Sequence, residues 1–171
     1  PAASSLPVAV ARRFPAQGGT AEEVIALRPD LVLISTFTPL ATRDALKRLG
    51  VRTVSVGLPT TIAESLAQVR TIADAVGQGA RGDALVAEIE AELARSRRAG
   101  APRPALMRMA SGFVPGPRSL SEALMAHAGL VSVAADRGLK GAGVISLEAL
   151  VLDPPALLIT DRPEALPPLV A

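Results

Sequence analysis

Four loops of this 171-residue chain hold residues able to bind or react, and they share one sequence context. Ser35-Thr36-Phe37-Thr38-Pro39, Gly57-Leu58-Pro59-Thr60, Ser111 to Pro117 and Thr160 to Glu164 each follow a short apolar run. Hydroxyls, backbone N–H groups and an aromatic ring in such places are groups for holding a ligand, since open α/β sheets bind at the carboxyl ends of their strands. Phe37 and Phe113 are two of only three aromatic residues, and both lie in these loops. Thr36, Phe37, Thr38, Phe113, Val114 and Arg162 are therefore the expected ligand contacts. Arg162 stands just after a strand. Arg108, Arg118, Arg137 and Arg162 can all offer planar, bidentate contacts to carboxylate or catecholate oxygens.

Catalysis finds little material. His127 is the single histidine, set late in a helix where an imidazolium suits the dipole. Cysteine is absent, so disulfides, thiol chemistry, a lipid-anchoring cysteine and a metal site built on several His or Cys are excluded within this sequence. Gly112 and Gly116 flank no serine, so no nucleophile elbow is present. Gly138, Gly141 and Gly143 lack the Lys-Ser/Thr of a phosphate-binding loop and read as a turn. The sequence carries no expected catalytic residue, metal ligand or cofactor.

The elements that position these loops come as a repeated phrase. Thr20 caps a helix with Glu22 and Glu23 in its first turn, Pro29 stops it, and Leu31 to Ile34 is a continuous apolar run suited to a buried parallel strand. Ser146 opens the same phrase again, with Glu148 in the first turn, Pro154-Pro155 as the stop and Leu157 to Ile159 as the strand. Glu22 precedes Pro29 by seven residues, and Glu148 precedes Pro155 by seven. One use of the phrase in each half predicts two similar α/β lobes with a cleft between them.

Between the two phrases, Ala41 to Leu49 reads as a helix and Arg52 to Val56 as a strand. Thr61-Ile62-Ala63-Glu64 is a capping box opening a long helix with a stripe at Leu66, Val69, Ile72 and Val76. Gly77 to Gly79 breaks it. Ala80 to Arg98 is expected as one unbroken second long helix, because its apolar stripe of Leu85, Val86, Ile89 and Leu93 is uninterrupted. Ala105 to Met109 is a strand, and Ser119 to Glu122 a further cap. Val8 to Arg13 forms a helical turn. The domains expected are an N-terminal lobe over 1–79, a helix over 80–100, and a C-terminal lobe over 101–171.

Composition limits the partners. Hydrophobic residues are 49% and charged residues 20%, which argues against disorder. The net charge is only +2, no run of five like charges occurs, and Tyr and Trp are absent, which removes the stacking platforms of nucleic-acid binders. No apolar run approaches a membrane span.

The phrases Glu22 to Ile34, Gly112-Phe113-Val114-Pro115-Gly116-Pro117 and Ile145 to Ile159 resemble the substrate-binding proteins of ABC importers for iron-siderophores, haem and cobalamin. The resemblance covers nearly the whole chain but not the family's opening strand–helix segment or its closing one or two units. It implies two lobes joined by one long helix, a periplasmic monomer, no catalysis, capture of a metal chelate, and delivery to an ABC permease. It also implies that Glu22 and Glu148 dock onto permease arginines, one per lobe. Receptors for haem commonly offer an axial Tyr or His, and this chain has no Tyr. Cobalamin would rest on Phe37 and Phe113. A ferric siderophore, served by Arg162, Thr36, Thr38 and Ser111, is the first expectation. A two-lobed non-transport enzyme and a ligand-free interaction module are the readings from other classes.

Overall fold

A computed structural model describes residues 8–14, 18–109 and 111–161. They form two compact units that divide between Leu58 and Pro59. Each is α/β and built on parallel strand pairing.

In the first unit, helix α1 (Val8–Ala11) is a single turn. Helix α2 (Ala21–Ala26) begins with the expected cap: Thr20 Oγ1 accepts the Glu23 N–H, and the Glu23 carboxylate accepts the Thr20 N–H in return. The chain leaves α2 through Arg28 in a left-handed conformation (φ 48°) before Pro29, which cannot continue a helix. Strand β1 (Val32–Ser35), helix α3 (Leu40–Arg48) and strand β2 (Thr53–Val56) then make a β–α–β unit, with Val32 opposite Thr53 and Ser35 opposite Val56. Val24, Thr42 and Leu46 are the buried side chains beneath it.

The second unit starts with α4 (Ile62–Ala75) and α5 (Gly79–Ser96). The capping box at Thr61 and Glu64 is present, and α5 is one unbroken helix. The two helices pack at close range, because a Cβ on Gly82 would lie 2.4 Å from the Ala73 Cβ. Arg70 Nε also meets Asp83 Oδ1 at 3.2 Å between them. That packing is why this division differs from the expected boundary at Gly79 by the whole of α4. Val69, Ile72 and Val76 of the α4 stripe line a hollow shared with Gly82, Leu85 and Glu88 of α5.

A three-stranded parallel sheet follows, in the order β5 (Leu130–Ser132), β3 (Arg103–Met107), β7 (Leu158–Ile159). Helix α6 (Leu120–His127) connects β3 to β5, and α7 (Leu147–Leu152) precedes β7. Two further strands, β4 (Phe113–Val114) and β6 (Gly143–Val144), pair antiparallel. The core gathers Leu106, Val114, Ala134, Ile145 and Leu150. His127 belongs to the packing: its Nε2–H donates to the Leu93 carbonyl at 2.6 Å, tying the end of α6 to α5. Among the described residues no helix is long and apolar enough to cross a membrane.

Candidate functional site

Parallel strands bring their carboxyl-end loops to one edge of a sheet, so each unit presents its strand-end loops together. In the first unit that edge carries 36–39, after β1, and Gly57-Leu58, after β2. The β1 loop is a tight, self-bonded turn. Thr38 Oγ1 accepts the Ser35 N–H at 3.0 Å, Ser35 Oγ accepts the Phe37 N–H at 3.2 Å, and the Thr38 N–H returns to the Ser35 carbonyl at 3.0 Å. With those bonds made inside the turn, Phe37 is pushed outward and stays 75% exposed. Thr36 is exposed beside it, and Thr38 is half-buried in the turn.

In the second unit the edge carries 108–109 and 111–112 after β3, 133–142 after β5 and 160–161 after β7. Residues 111–118 and 138–142 are the two glycine-rich stretches, and their backbones touch. A Cβ on Gly116 would lie 2.3 Å from the Ala142 nitrogen and 2.5 Å from the Gly141 carbonyl carbon. Gly112, at φ 87°, turns the chain from β3 into β4. Alternation along β4 then separates its two residues. Phe113 faces outward and is 42% exposed beside exposed Val144, whereas Val114 points inward and is 1% exposed.

Val114 is therefore a correction: its side chain fills the core against Leu106 and Ile145 and presents no surface to a ligand. Arg108 is another. Its guanidinium is buried, with Nε donating to the Ile145 carbonyl at 2.9 Å, so it holds the entrance of α7 in place. Arg137 is held by Asp153, through the carboxylate at 2.8 Å and the backbone carbonyl at 2.7 Å. Arg162 lies outside the described residues. Phe37, Thr36 and Thr38 sit together in the first unit, and Phe113 stands with Ser111 in the second.

One feature was missed in the sequence. A hollow of about 350 Å³ lies beside α6 and edge strand β5, lined by Thr60, Arg118, Ser119, Glu122 and Ser132 among others. Arg118 adopts φ 57°, and its N–H donates to the Glu122 carboxylate at 2.6 Å, so the expected capping box closes one residue early. Nothing in the sequence linked Ser132 to Thr60, because the hollow brings a residue ahead of α4 and a three-residue strand into one lining. Among the described residues no group of three or more His, Asp or Glu side chains is placed to hold a metal ion.

Glu22 and Glu148 are exposed in the first turns of α2 and α7. The Glu148 carboxyl is held below the ordinary carboxylate range by its own backbone N–H and the Ser146 hydroxyl, with a smaller attraction from Arg108.

Among curated proteins no sequence matches the chain. Solved structures do. The periplasmic haem-binding protein RhuT from Roseiflexus sp. RS-1 is 27% identical, with a TM-score of 0.68 over 82% of this chain and 57% of its own. The haem-binding protein HmuT is also 27% identical, with a TM-score of 0.59 over 82% of this chain and 50% of its own. BhuT, a periplasmic haem-binding protein solved with two haems, shares the fold at 23% identity and a TM-score of 0.70, over 92% of this chain and 65% of its own. The chain thus spans between half and two thirds of the length of these relatives. The periplasmic binding protein family matches residues 5–165, and the chain belongs to that family.

Proposed function

We propose that the chain is the substrate-binding part of an ABC importer. It captures a metal chelate outside the cytoplasm, in the periplasm, as a monomer and without catalysis, and hands it to a membrane permease. The observation that carries the reading is the family match over residues 5–165. Haem is the first chelate, supported by the 27% identity to RhuT and HmuT and by two exposed phenylalanines, Phe37 and Phe113, on strand-end loops. An exposed apolar ring suits the face of a porphyrin. Thr36, Thr38 and Arg162 complete the proposed contacts. Iron coordination is not assigned to this chain, because Tyr is absent and His127 is engaged with Leu93. That same engagement favours a ferric siderophore as the second reading, since siderophore iron arrives already fully coordinated. Glu22 and Glu148 are the proposed contacts to the permease.

A thermal-shift screen with haemin, a ferric catecholate, a ferric hydroxamate and cobalamin tests this. At a ligand concentration about a hundred times Kd the folded state gains about 2.7 kcal/mol. Haemin alone should raise Tm. A shift with a siderophore alone would transfer the reading to that chelate, and a flat response to all four would refute chelate capture.

A further inference from the structure

The amino end of the second unit's sheet carries a hollow that chelate capture does not use. Parallel strands β3, β5 and β7 all start there, opposite the edge that carries their strand-end loops. Arg103 is the first residue of β3, Leu130 the first of β5, and Leu157 stands one residue before β7. With Arg98, Ala99 and Ala101 they line a hollow of about 360 Å³. Backbone bonds fix its walls. The Arg103 N–H donates to the Gly129 carbonyl at 2.9 Å, and the Gly129 N–H to the Ala126 carbonyl at 3.0 Å. Gly129 sits at φ 72°, and a Cβ there would lie 3.3 Å from the Arg98 Cβ, so the end of α6 and the chain leaving α5 run close together.

Charge at this end is one-sided. Arg97, Arg98 and Arg103 are exposed, and among the described residues none of them has a carboxylate partner, whereas Arg70, Arg95 and Arg137 each do. The described lining of the hollow holds no Asp or Glu. The carbonyl ends of α5 and α6 face the same way, each equivalent to about −0.5 charge, and three unpaired arginines outweigh them. A guanidinium holds a carboxylate or phosphate through paired hydrogen bonds, and apolar walls favour a hydrocarbon. The volume lies near the lower limit of the roughly 300–1,000 Å³ of small-molecule sites, which selects one short chain over a two-chain lipid.

We propose that this hollow binds a free single-chain amphiphilic anion, of the type of a short fatty-acid carboxylate. Arg98 and Arg103 hold the oxygens, and Ala99, Ala101, Leu130 and Leu157 enclose the chain. The second unit's chelate loops lie at the other end of the same strands, so the proposal stands independently of chelate capture.

Isothermal titration with decanoate, acetate and decanol tests it, with circular dichroism to verify that every variant is folded. Decanoate should bind about tenfold or more tightly than acetate, which lacks the chain, and than decanol, which lacks the charge. Arg98→Gln/Arg103→Gln should raise the decanoate Kd about tenfold, from two exposed ionic contacts of about two- to fivefold each, and added salt should weaken wild-type binding. Ala101→Leu, which fills the apolar part, should raise Kd by about the same factor and leave the salt dependence unchanged. Arg52→Gln, at an exposed arginine of the first unit, should change nothing. No saturable decanoate binding, or a Kd within twofold of wild type in the double arginine variant, overturns the proposal. Co-sedimentation with phosphatidylglycerol vesicles without decanoate binding, lost in the double variant, identifies a membrane contact and overturns the free amphiphile.

Discussion

Gly116→Ala should damage the second unit more than any other glycine-to-alanine change in its loops. The new methyl would meet the Ala142 nitrogen at 2.3 Å and the Gly141 carbonyl carbon at 2.5 Å, where ordinary contact begins at 3.4 Å. The shortfall is about 1.1 Å, and both neighbours are backbone, so no side chain can rotate away. Overpacking typically costs about 1–3 kcal/mol, and rigid surroundings place this case at the upper end. If the loops part, the β4–β6 pairing loosens and Val114 loses burial, adding up to about 2 kcal/mol. At about 4 °C per kcal/mol for a unit of this size, Tm should fall by roughly 8–20 °C. Gly141→Ala is the control, since nothing lies within 4 Å of a Cβ there and neither glycine sits at positive φ. Thermal unfolding followed by circular dichroism reads both variants. A Gly116→Ala Tm within 2 °C of wild type, or an equal loss in Gly141→Ala, would refute the close approach of the two loops.

Other outcomes follow from single contacts. Phe37→Ala and Phe113→Ala should each weaken chelate affinity by about tenfold without lowering Tm, because both rings are exposed; equilibrium titration measures this, and affinities within twofold of wild type would remove the rings from the site. Arg108→Met should cost about 1–3 kcal/mol in chemical denaturation by orphaning the Ile145 carbonyl, and should let the Glu148 carboxyl rise towards its ordinary value. The carboxyls of Glu23 and Glu64 are held below their usual 4.5 by backbone N–H donors, from Gly18 and Thr60 first. Because the folded values are depressed, their stabilisation is complete above 4.5 and is lost as pH falls through the lower folded values. The Tm gap between wild type and Glu64→Gln should therefore be widest near neutrality and close below pH 4.5; a constant gap would contradict the cap. Thr61→Ala should cost about 1 kcal/mol in the same denaturation assay.

The capped helices and their stops were legible because their signals are local. Thr20 with Glu23, Thr61 with Glu64 and Ser146 with Ala149 each close within three residues. Strands β1, β2 and β3 fall within two residues of the apolar runs that announce them. What the sequence hid is non-local. The β4–β6 pair joins residues about thirty apart in two-residue strands, too short for alternation to register. With that pairing unseen, Val114 looked like a loop residue when it is core, and Arg108 looked like a ligand cation when it braces α7. The grouping of α4 with the second unit depends on Gly82 against Ala73, a contact between small residues that leaves no apolar signature.

Reconstituted uptake measures capture and delivery at once. Proteoliposomes carrying the ABC permease and internal ATP should accumulate iron-labelled haemin only when the chain is added outside, with Glu22→Ala/Glu148→Ala binding haemin normally yet failing to drive uptake. Uptake that proceeds at the same rate without the chain, or undiminished with the double variant, would contradict it.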